Sequence, residues 1–324
     1  MIERAEELVT VFGGAGFIGR YVCEMLLQGG VRVRVASRNP RLAYFIQPLS
    51  QIGRLGSVRA DIADARSVAR AVDGATGVVN LCGVLKGNFQ AIHVIGARNI
   101  AEAARDGGAG AVVHISAIGA DPKSESAYGR SKGDGELAVR AAFPAATIIR
   151  PSLVFGPEDQ LTNRLAGLAW LPFLPVIAPQ RRFQPVFVRD LAQAIASAVL
   201  EPDQHASKTY EIGGPQVMTM RQINQAVLDA TGQSPDLIDL PDAAASMLSR
   251  VGFLPGAPLT RDQWLMLQRD NVPDTGAAGL EAFGIRPTPL GAVAHEWLGR
   301  FQKGGRFQKG GRFAGRHDNL TAAS

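Results

Sequence analysis

The sequence predicts an α/β protein with a doubly wound parallel sheet, a smaller C-terminal α/β lobe and a disordered basic tail. Three observations predict it. Short β-branched runs alternate with amphipathic helical stretches as far as residue 150, a pattern that implies parallel strands joined by right-handed crossovers. A glycine-rich turn joins the first run to the first helix. Beyond residue 151 prolines and loops increase and the alternation loosens. These features divide the 324 residues into 1–155 (with the sheet completed by later segments), a lobe over 156–299 packed at the carboxyl edge of the sheet, and a tail over 300–324.

Leu8-Val9-Thr10-Val11-Phe12 is a buried strand by composition, ending in glycines. Residues 17–28 follow with Ile18, Val22, Met25 and Leu26 at helical spacing, and Gly29-Gly30 stops that helix. Further strands are predicted over 31–35, 57–61, 77–81, 111–115 and 146–150. Helices are predicted over 65–72, 91–106 and 128–142, and later over 191–200, 220–230, 242–250 and 261–270.

Gly13-Gly14-Ala15-Gly16-Phe17-Ile18-Gly19 joins the first strand to the first helix and fits G-x-G-x-x-G from Gly14. A tight turn, a close backbone approach to pyrophosphate and close helix–strand packing each exclude a side chain here. The helix start then offers unpaired N–H groups to phosphate. This context makes the domain over 1–155 a Rossmann-type dinucleotide-binding unit, with Gly13, Gly16, Phe17, Ile18 and Gly19 in the cradle. About 20 residues further on, NAD binders place an acid for the ribose hydroxyls. Here Ala36-Ser37-Arg38 stands instead, and a guanidinium suits a 2′-phosphate, so NADP(H) is favoured over NAD(H). Asp61, with Ile62, is positioned for the adenine amine. Leu81, Cys82 and Gly83 end the fourth strand, where the backbone would pass the adenine ribose.

Ser116 ends the fifth strand, and Tyr128 and Lys132 follow at i, i+4 on one helix face. A free phenol titrates near 10. A neighbouring ammonium is expected to favour the phenolate and bring it toward the working range of a general acid/base. Ser116 can bond the same substrate oxygen.

With these residues assembled, the chain resembles the short-chain dehydrogenase/reductase superfamily, in its extended or atypical branch. The resemblance rests on the glycine loop, Asp61-Ile62, Asn80 to Gly83, Ser116, Tyr128 to Lys132, Arg150-Pro151-Ser152-Leu153-Val154-Phe155-Gly156-Pro157, Val188-Arg189-Asp190-Leu191-Ala192 and Tyr210-Glu211-Ile212-Gly213-Gly214-Pro215. It implies that the stretch from Pro151 to Val154 closes over the nicotinamide. Ser116-Ala117-Ile118-Gly119-Ala120-Asp121 and Leu259-Thr260-Arg261-Asp262-Gln263-Trp264-Leu265-Met266-Leu267-Gln268-Arg269-Asp270-Asn271-Val272 look narrower still. They are similar to the nucleotide-binding accessory subunits of respiratory complex I (NADH:ubiquinone oxidoreductase) and their bacterial relatives. That likeness implies a structural NADPH and partners among complex I subunits near the quinone region. An active NADPH-dependent oxidoreductase or epimerase, using Ser116, Tyr128 and Lys132, is the alternative.

Charge and composition exclude other classes. Of 34 basic and 29 acidic residues, six basic and one acidic lie from Arg300 onward, which leaves 28 of each sign before it. A neutral body argues against a nucleic-acid partner. The tail repeats Arg300-Phe301-Gln302-Lys303-Gly304-Gly305 as Arg306 to Gly311, and its basic residues over 300–316 suit an anionic membrane surface. The five histidines, His93, His114, His205, His295 and His317, lack ligand spacing, so no metal is expected. Cys23 and Cys82 are expected to be buried thiols in a reducing compartment. The charged N-terminus and the proline-cut apolar stretch over 165–179 predict a cytoplasmic protein, peripheral on the inner membrane. Trp170 and Phe173 are expected to pack within a lid, and Arg181-Arg182 to be a solvated pair, with an anionic lipid or a substrate phosphate as the alternative contact.

Overall fold

A computed structural model describes residues 3–250 and 259–302. Its centre is a sheet of seven strands: β1 (Leu8–Phe12), β2 (Arg32–Ser37), β3 (Leu55–Arg59), β4 (Gly77–Asn80), β5 (Ala111–Ile115), β6 (Thr147–Pro151) and β7 (Thr209–Ile212). They lie in the order β7-β6-β5-β4-β1-β2-β3, and every pairing is parallel. β1, β4 and β5 are buried at every position, which matches their unbroken apolar runs: a parallel sheet is covered on both faces.

Alternation along each strand divides the core in two. Val9 and Val11 face one layer with Val33, Val35, Val79 and Val113, under helices α1 (Phe17–Gln28) and, much later in the chain, Val188–Leu200. Phe12, Val78, Val112 and Ile148 face the other, under α2 (Ala65–Val72), α3 (Ala97–Asp106) and α4 (Ala127–Ala142). The only polar residue inside β1, Thr10, satisfies its hydroxyl on the Ala71 carbonyl at 3.0 Å. The reversal of strand order falls between β1 and β4, and it opens a crevice at their carboxyl ends.

The chain beyond residue 155 contributes to both layers of the molecule. β7 and the helix Val188–Leu200 complete the sandwich. The outer layer contains α5 (Gln160–Leu168), a parallel ribbon pairing Phe173–Val176 with Asp236–Asp239, and the helices Met220–Thr231, Asp242–Arg250 and Arg261–Met266. Glu136, Arg150 and Glu211 bind α4, β6 and β7 together. Arg150 donates to both Glu136 oxygens at 2.8 and 2.7 Å and to Glu211 at 3.2 Å. These bonds hold the guanidinium well above its ordinary pKa.

Several expectations are corrected. The helix predicted over 91–106 begins as a π-turn, Gln90–Gly96, because apolar spacing alone does not distinguish a widened turn from a regular one. The helix predicted over 261–270 stops at Met266, since Asp270 is drawn to Arg182 at 2.7 Å and Asn271 to the Arg182 carbonyl at 2.8 Å. Arg182 is therefore paired with Asp270 while its side chain stays largely exposed. Trp170 and Phe173 do not pack within a lid: they are 67% and 53% exposed, Trp170 in a turn and Phe173 on the outward side of the ribbon. Residues 300–302, assigned by sequence to the tail, are held on the body. The Phe301 carbonyl accepts from Gln233 at 2.6 Å, and Arg300 bonds Asn163. The rest of the tail, 303–324, lies outside the described residues. No helix among the described residues is long and apolar enough to cross a membrane.

Candidate functional site

The glycine loop stands at the carboxyl end of β1, beside the crevice. Gly13 has φ +81°, and a Cβ there would meet the Leu81 backbone at 3.3 Å. Its N–H bonds the Ala36 carbonyl at 3.3 Å. One residue therefore joins the ends of β1, β2 and β4. A Cβ at Gly19 would come within 2.2 Å of the Gly13 oxygen, so α1 starts directly against the turn. Gly16 opens α1 in extended conformation with no side-chain cap, leaving first-turn amides open to an anion. A Cβ at Gly156 of the later chain would meet the Phe17 ring at 3.3 Å, and Ile18 packs on the core.

Ser37 ends β2, and its buried hydroxyl has no hydrogen-bond partner among the described residues. Arg38 is exposed beside it and makes no ion pair with any described residue. Asp61 lies past the end of β3, where its carboxylate accepts the Ala63 N–H at 3.0 Å. It lines a cavity of about 470 Å³ with Ala60, Asp64, Ser67 and Arg70. Ile62 is buried, its carbonyl held by Asn99 at 2.8 Å. Asn80 shapes the next turn: its side-chain oxygen accepts the Cys82 N–H at 3.0 Å, and its amide nitrogen meets buried His114 at 3.0 Å. Cys82 lies within electrostatic reach of Lys132, Arg38 and Asp61. Burial pushes its thiol up to about 12, and does the same to Cys23 within α1. Gly83 is exposed beyond it.

Ser116, just past β5, is held by its N–H on the Ile149 carbonyl at 2.7 Å. Its hydroxyl is buried and unpartnered among the described residues. Tyr128 and Lys132 share a face of α4. Lys132 donates to the Ile115 carbonyl at 2.7 Å, and burial lowers its amine to about 8. Burial raises the Tyr128 phenol to about 12. The ammonium is engaged by a backbone carbonyl, and desolvation is what acts on the phenol. Pro151 ends β6, with its carbonyl bound by Ile118 N–H at 3.2 Å; Val154 pairs with Val186.

Two residues that sequence reasoning missed belong to this site. His93, in the π-turn, accepts the Val84 N–H at Nε2 (3.0 Å) and stands 2.8 Å from the Ser131 hydroxyl through Nδ1. Ser131 in turn donates to the Tyr128 carbonyl at 2.8 Å. Because Nε2 is an acceptor, Nδ1 carries the proton and the ring is neutral. Burial, followed by the Lys132 charge, lowers its pKa to about 4. Its ring stacks on Phe89 and meets Tyr128 edge-on at 5.5 Å. Among scattered histidines, the only available signal was its place opposite the Tyr128 helix. Asp262 is the second: its carboxylate bonds the first two amides of α4. It lies in the segment singled out by resemblance, but nothing in its spacing points to α4.

Comparison with known proteins identifies the family and the fold. The model of the NAD dependent epimerase/dehydratase family matches residues 9–213. NADH dehydrogenase [ubiquinone] 1 alpha subcomplex subunit 9 of Mus musculus is 33% identical over 304 residues, covering 90% of this chain and 80% of its own. A ceramide reductase of Caulobacter vibrioides is 32% identical over 247 residues, covering 75% of this chain and 76% of its own. Among solved structures, an NADPH-dependent quinone oxidoreductase of Escherichia coli complexed with NADPH superposes with a TM-score of 0.73 at 20% identity, over 89% of this chain and 99% of its own. The UDP-glucose 4-epimerase of Thermus thermophilus with NAD gives 0.65 at 23% identity, over 91% and 98%. The chain belongs to the NAD dependent epimerase/dehydratase family, within the short-chain dehydrogenase/reductase superfamily, and is a relative of the subunit 9 proteins of respiratory complex I.

Proposed function

We propose that the chain is an NADP(H)-binding accessory or assembly subunit of respiratory complex I, docked near the quinone region, in which the dinucleotide is a structural component. The observation that carries it is the end of β2. No carboxylate stands there, the Ser37 hydroxyl is buried without a described partner, and Arg38 is exposed and unpaired among the described residues. That set suits a 2′-phosphate and leaves the ribose hydroxyls of NAD without their usual acceptor. Gly13, Gly16 and Gly19 fit the pyrophosphate, with no Cβ to obstruct it. Leu81, Cys82 and Gly83 would line the adenine side, together with Asp61 and Ile62. Lys132, Pro151 and Val154 would hold the nicotinamide side.

The partner half of the reading draws on the relationship to complex I subunits along 90% of the chain. A non-turning cofactor is supported by the geometry of the site: the Lys132 amine is committed to the Ile115 carbonyl at 2.7 Å, a positioning role. The protein would lie in the cytoplasm at the inner membrane, with the basic residues over 300–316 against anionic lipid. Denaturing the native protein should release stoichiometric NADPH, identified by absorbance and chromatography. Pull-down from solubilised membranes should recover complex I subunits. An empty or NAD-filled site, or recovery without any such subunit, overturns the respective half.

One observation favours a second reading. Ser116, Tyr128 and Lys132 are all present, with the Ser116 hydroxyl buried and free of described partners, and relatives include reductases. A bound nicotinamide would supply hydride; Ser116 and Tyr128 would hold the substrate oxygen, and the phenol would hold its proton. NADPH consumption with a quinone, ketone or sugar nucleotide, lost in Tyr128→Phe, would establish it.

A further inference from the structure

Asp262 lies in the first turn of the helix Arg261–Met266, yet its bonds are made to α4. One carboxylate oxygen accepts the Ala127 N–H at 2.6 Å. The other accepts the Tyr128 N–H and the Ser126 hydroxyl, both at 3.1 Å. Ser126 accepts the Gly129 N–H at 3.2 Å. The first three amides of α4, which no helical carbonyl can reach, are therefore all satisfied, and two of them depend on a residue 134 or more positions away. The carboxylate also faces the positive end of the helix dipole. Asp262 is not needed at its own helix start, where Thr260 and Gln263 form a complete capping box.

The other end of the same segment holds the opposite wall of the crevice. Ser152, directly after Pro151, has its hydroxyl 2.7 Å from the Asn271 carbonyl and 2.8 Å from the Asn271 side-chain oxygen. Asn271 N–H bonds the Arg182 carbonyl at 2.8 Å, and Asp270 pairs with Arg182. Between these ends Trp264 is buried against a small cluster of Leu259, Ala178 and Ala245, apart from the two main cores. Residues 259–271 thus form a strap. One end closes the helix that carries Tyr128 and Lys132, the other closes the segment beyond β6, and the middle is anchored in the outer layer.

We propose that this strap is coupled to the dinucleotide site: occupancy of the cradle orders the strap, and Asp262 acts as the positioning residue through which the strap in turn strengthens binding. The inference rests on the reading of the cradle as an NADP(H) site. The physical reason is reciprocity: if docking of the strap on α4 strengthens NADPH binding by some factor, bound NADPH must favour the docked strap by the same factor. The shared elements here are the first turn of α4 and the residues around Ser152.

The test uses the full chain and NADPH as the probe. Amide hydrogen exchange across 261–271 should slow about tenfold on adding NADPH, within the usual range of coupling between sites. Asp262→Ala should weaken NADPH binding about tenfold by calorimetry and abolish the protection of 261–271. Asp262→Asn, which keeps one acceptor, should fall between. Thr219→Ala removes a comparable cap from the helix Met220–Thr231 in the outer layer; it should leave NADPH affinity unchanged. Asp262→Asn and the exchange measurement on the unaltered chain keep the test open if Asp262→Ala does not fold. NADPH binding with no change in exchange, unchanged affinity in both Asp262 variants, or an equal loss in Thr219→Ala would overturn the coupling while leaving the cofactor reading intact. A chain that binds no NADPH fails at the cofactor reading, and the strap proposal falls with it.

Discussion

His93 shows how one side chain can tie the parts of a site together through its hydrogen bonds. Both of its nitrogens are engaged, so protonation breaks the bond from Val84 N–H and places a cation near Lys132. Its folded pKa of about 4 lies below the ordinary 6.5, and His114 is lowered in the same direction, first by burial and then by Lys132. The sign follows: the unfolded chain takes up these protons first, so the stability they confer is complete above 6.5 and declines as pH falls toward 4. Each histidine should contribute a slope of about 1.4 kcal/mol per pH unit in that window. Urea titrations between pH 7 and 5 should show that slope reduced by one histidine's share in His93→Gln, whose amide can serve both neighbours. An unchanged slope would remove His93 from the account. At Arg38, Ala should weaken NADPH about tenfold, roughly 1.4 kcal/mol for a lost charge-assisted bond, and leave NADH binding unaltered. Equal losses for both nucleotides would count against a 2′-phosphate contact. Arg38 was legible in the sequence because a position on β2 and a residue type suffice to nominate it. His93 was not, because its role comes from a π-turn and from two partners, Val84 and Ser131, that only the fold brings near.

At the scale of elements, periodicity carried the inner sheet. β1, α1, α2 and β5 begin and end where the apolar pattern does, since each is buried along a face that the pattern records. Where ends differ, hydrogen bonds to distant residues made the difference. β2 runs on to Ser37 because β3 pairs with it as far as Arg59, and the helix from Arg261 ends early because Asp270 and Asn271 are taken by Arg182. The outer ribbon was not legible. Phe173–Val176 buries alternate residues, Leu174 and Val176, but its exposed positions carry Phe173 and Pro175, so the sequence shows no apolar–polar alternation. The junction of β1 with α1 is tightly constrained. Gly19→Ala would drive a Cβ to 2.2 Å from the Gly13 oxygen, a backbone atom that cannot swing aside. The expected cost is about 1–3 kcal/mol, typical of overpacking. It should appear as a lower urea midpoint at unchanged slope, together with weaker dinucleotide binding. Full stability in this variant would show that the turn can open without loss.

Over the whole molecule, charge is divided between a neutral body and a basic end, and the structure moves the boundary. Arg300 and Phe301 are tied to Asn163 and Gln233, so a truncation that spares the fold should be made after Gln302. Removing 303–324 should leave the thermal midpoint unchanged and abolish binding to anionic vesicles, at about 1 kcal/mol for each basic residue near the lipid; retained binding would assign the contact to the body. Inside the body, one ion triad joins the two parts of the chain that the sequence appears to separate. Glu136 belongs to α4 and Arg150 to β6, while Glu211 comes from β7, some 61 residues further on. Glu211 also accepts the Asp274 N–H at 2.7 Å, which carries the link toward the strap. The carboxylates are nearly buried, so their charge is tolerable only because Arg150 answers both. Arg150→Leu should therefore cost about 3–5 kcal/mol, most of it from two uncompensated carboxylates and little from lost packing. The triple variant Glu136→Gln, Arg150→Leu, Glu211→Gln removes the charges together and should recover roughly half of that loss in urea unfolding. If it is no more stable than Arg150→Leu alone, the guanidinium is holding the two halves by shape, and the triad's charges are incidental to how β7 joins the sheet.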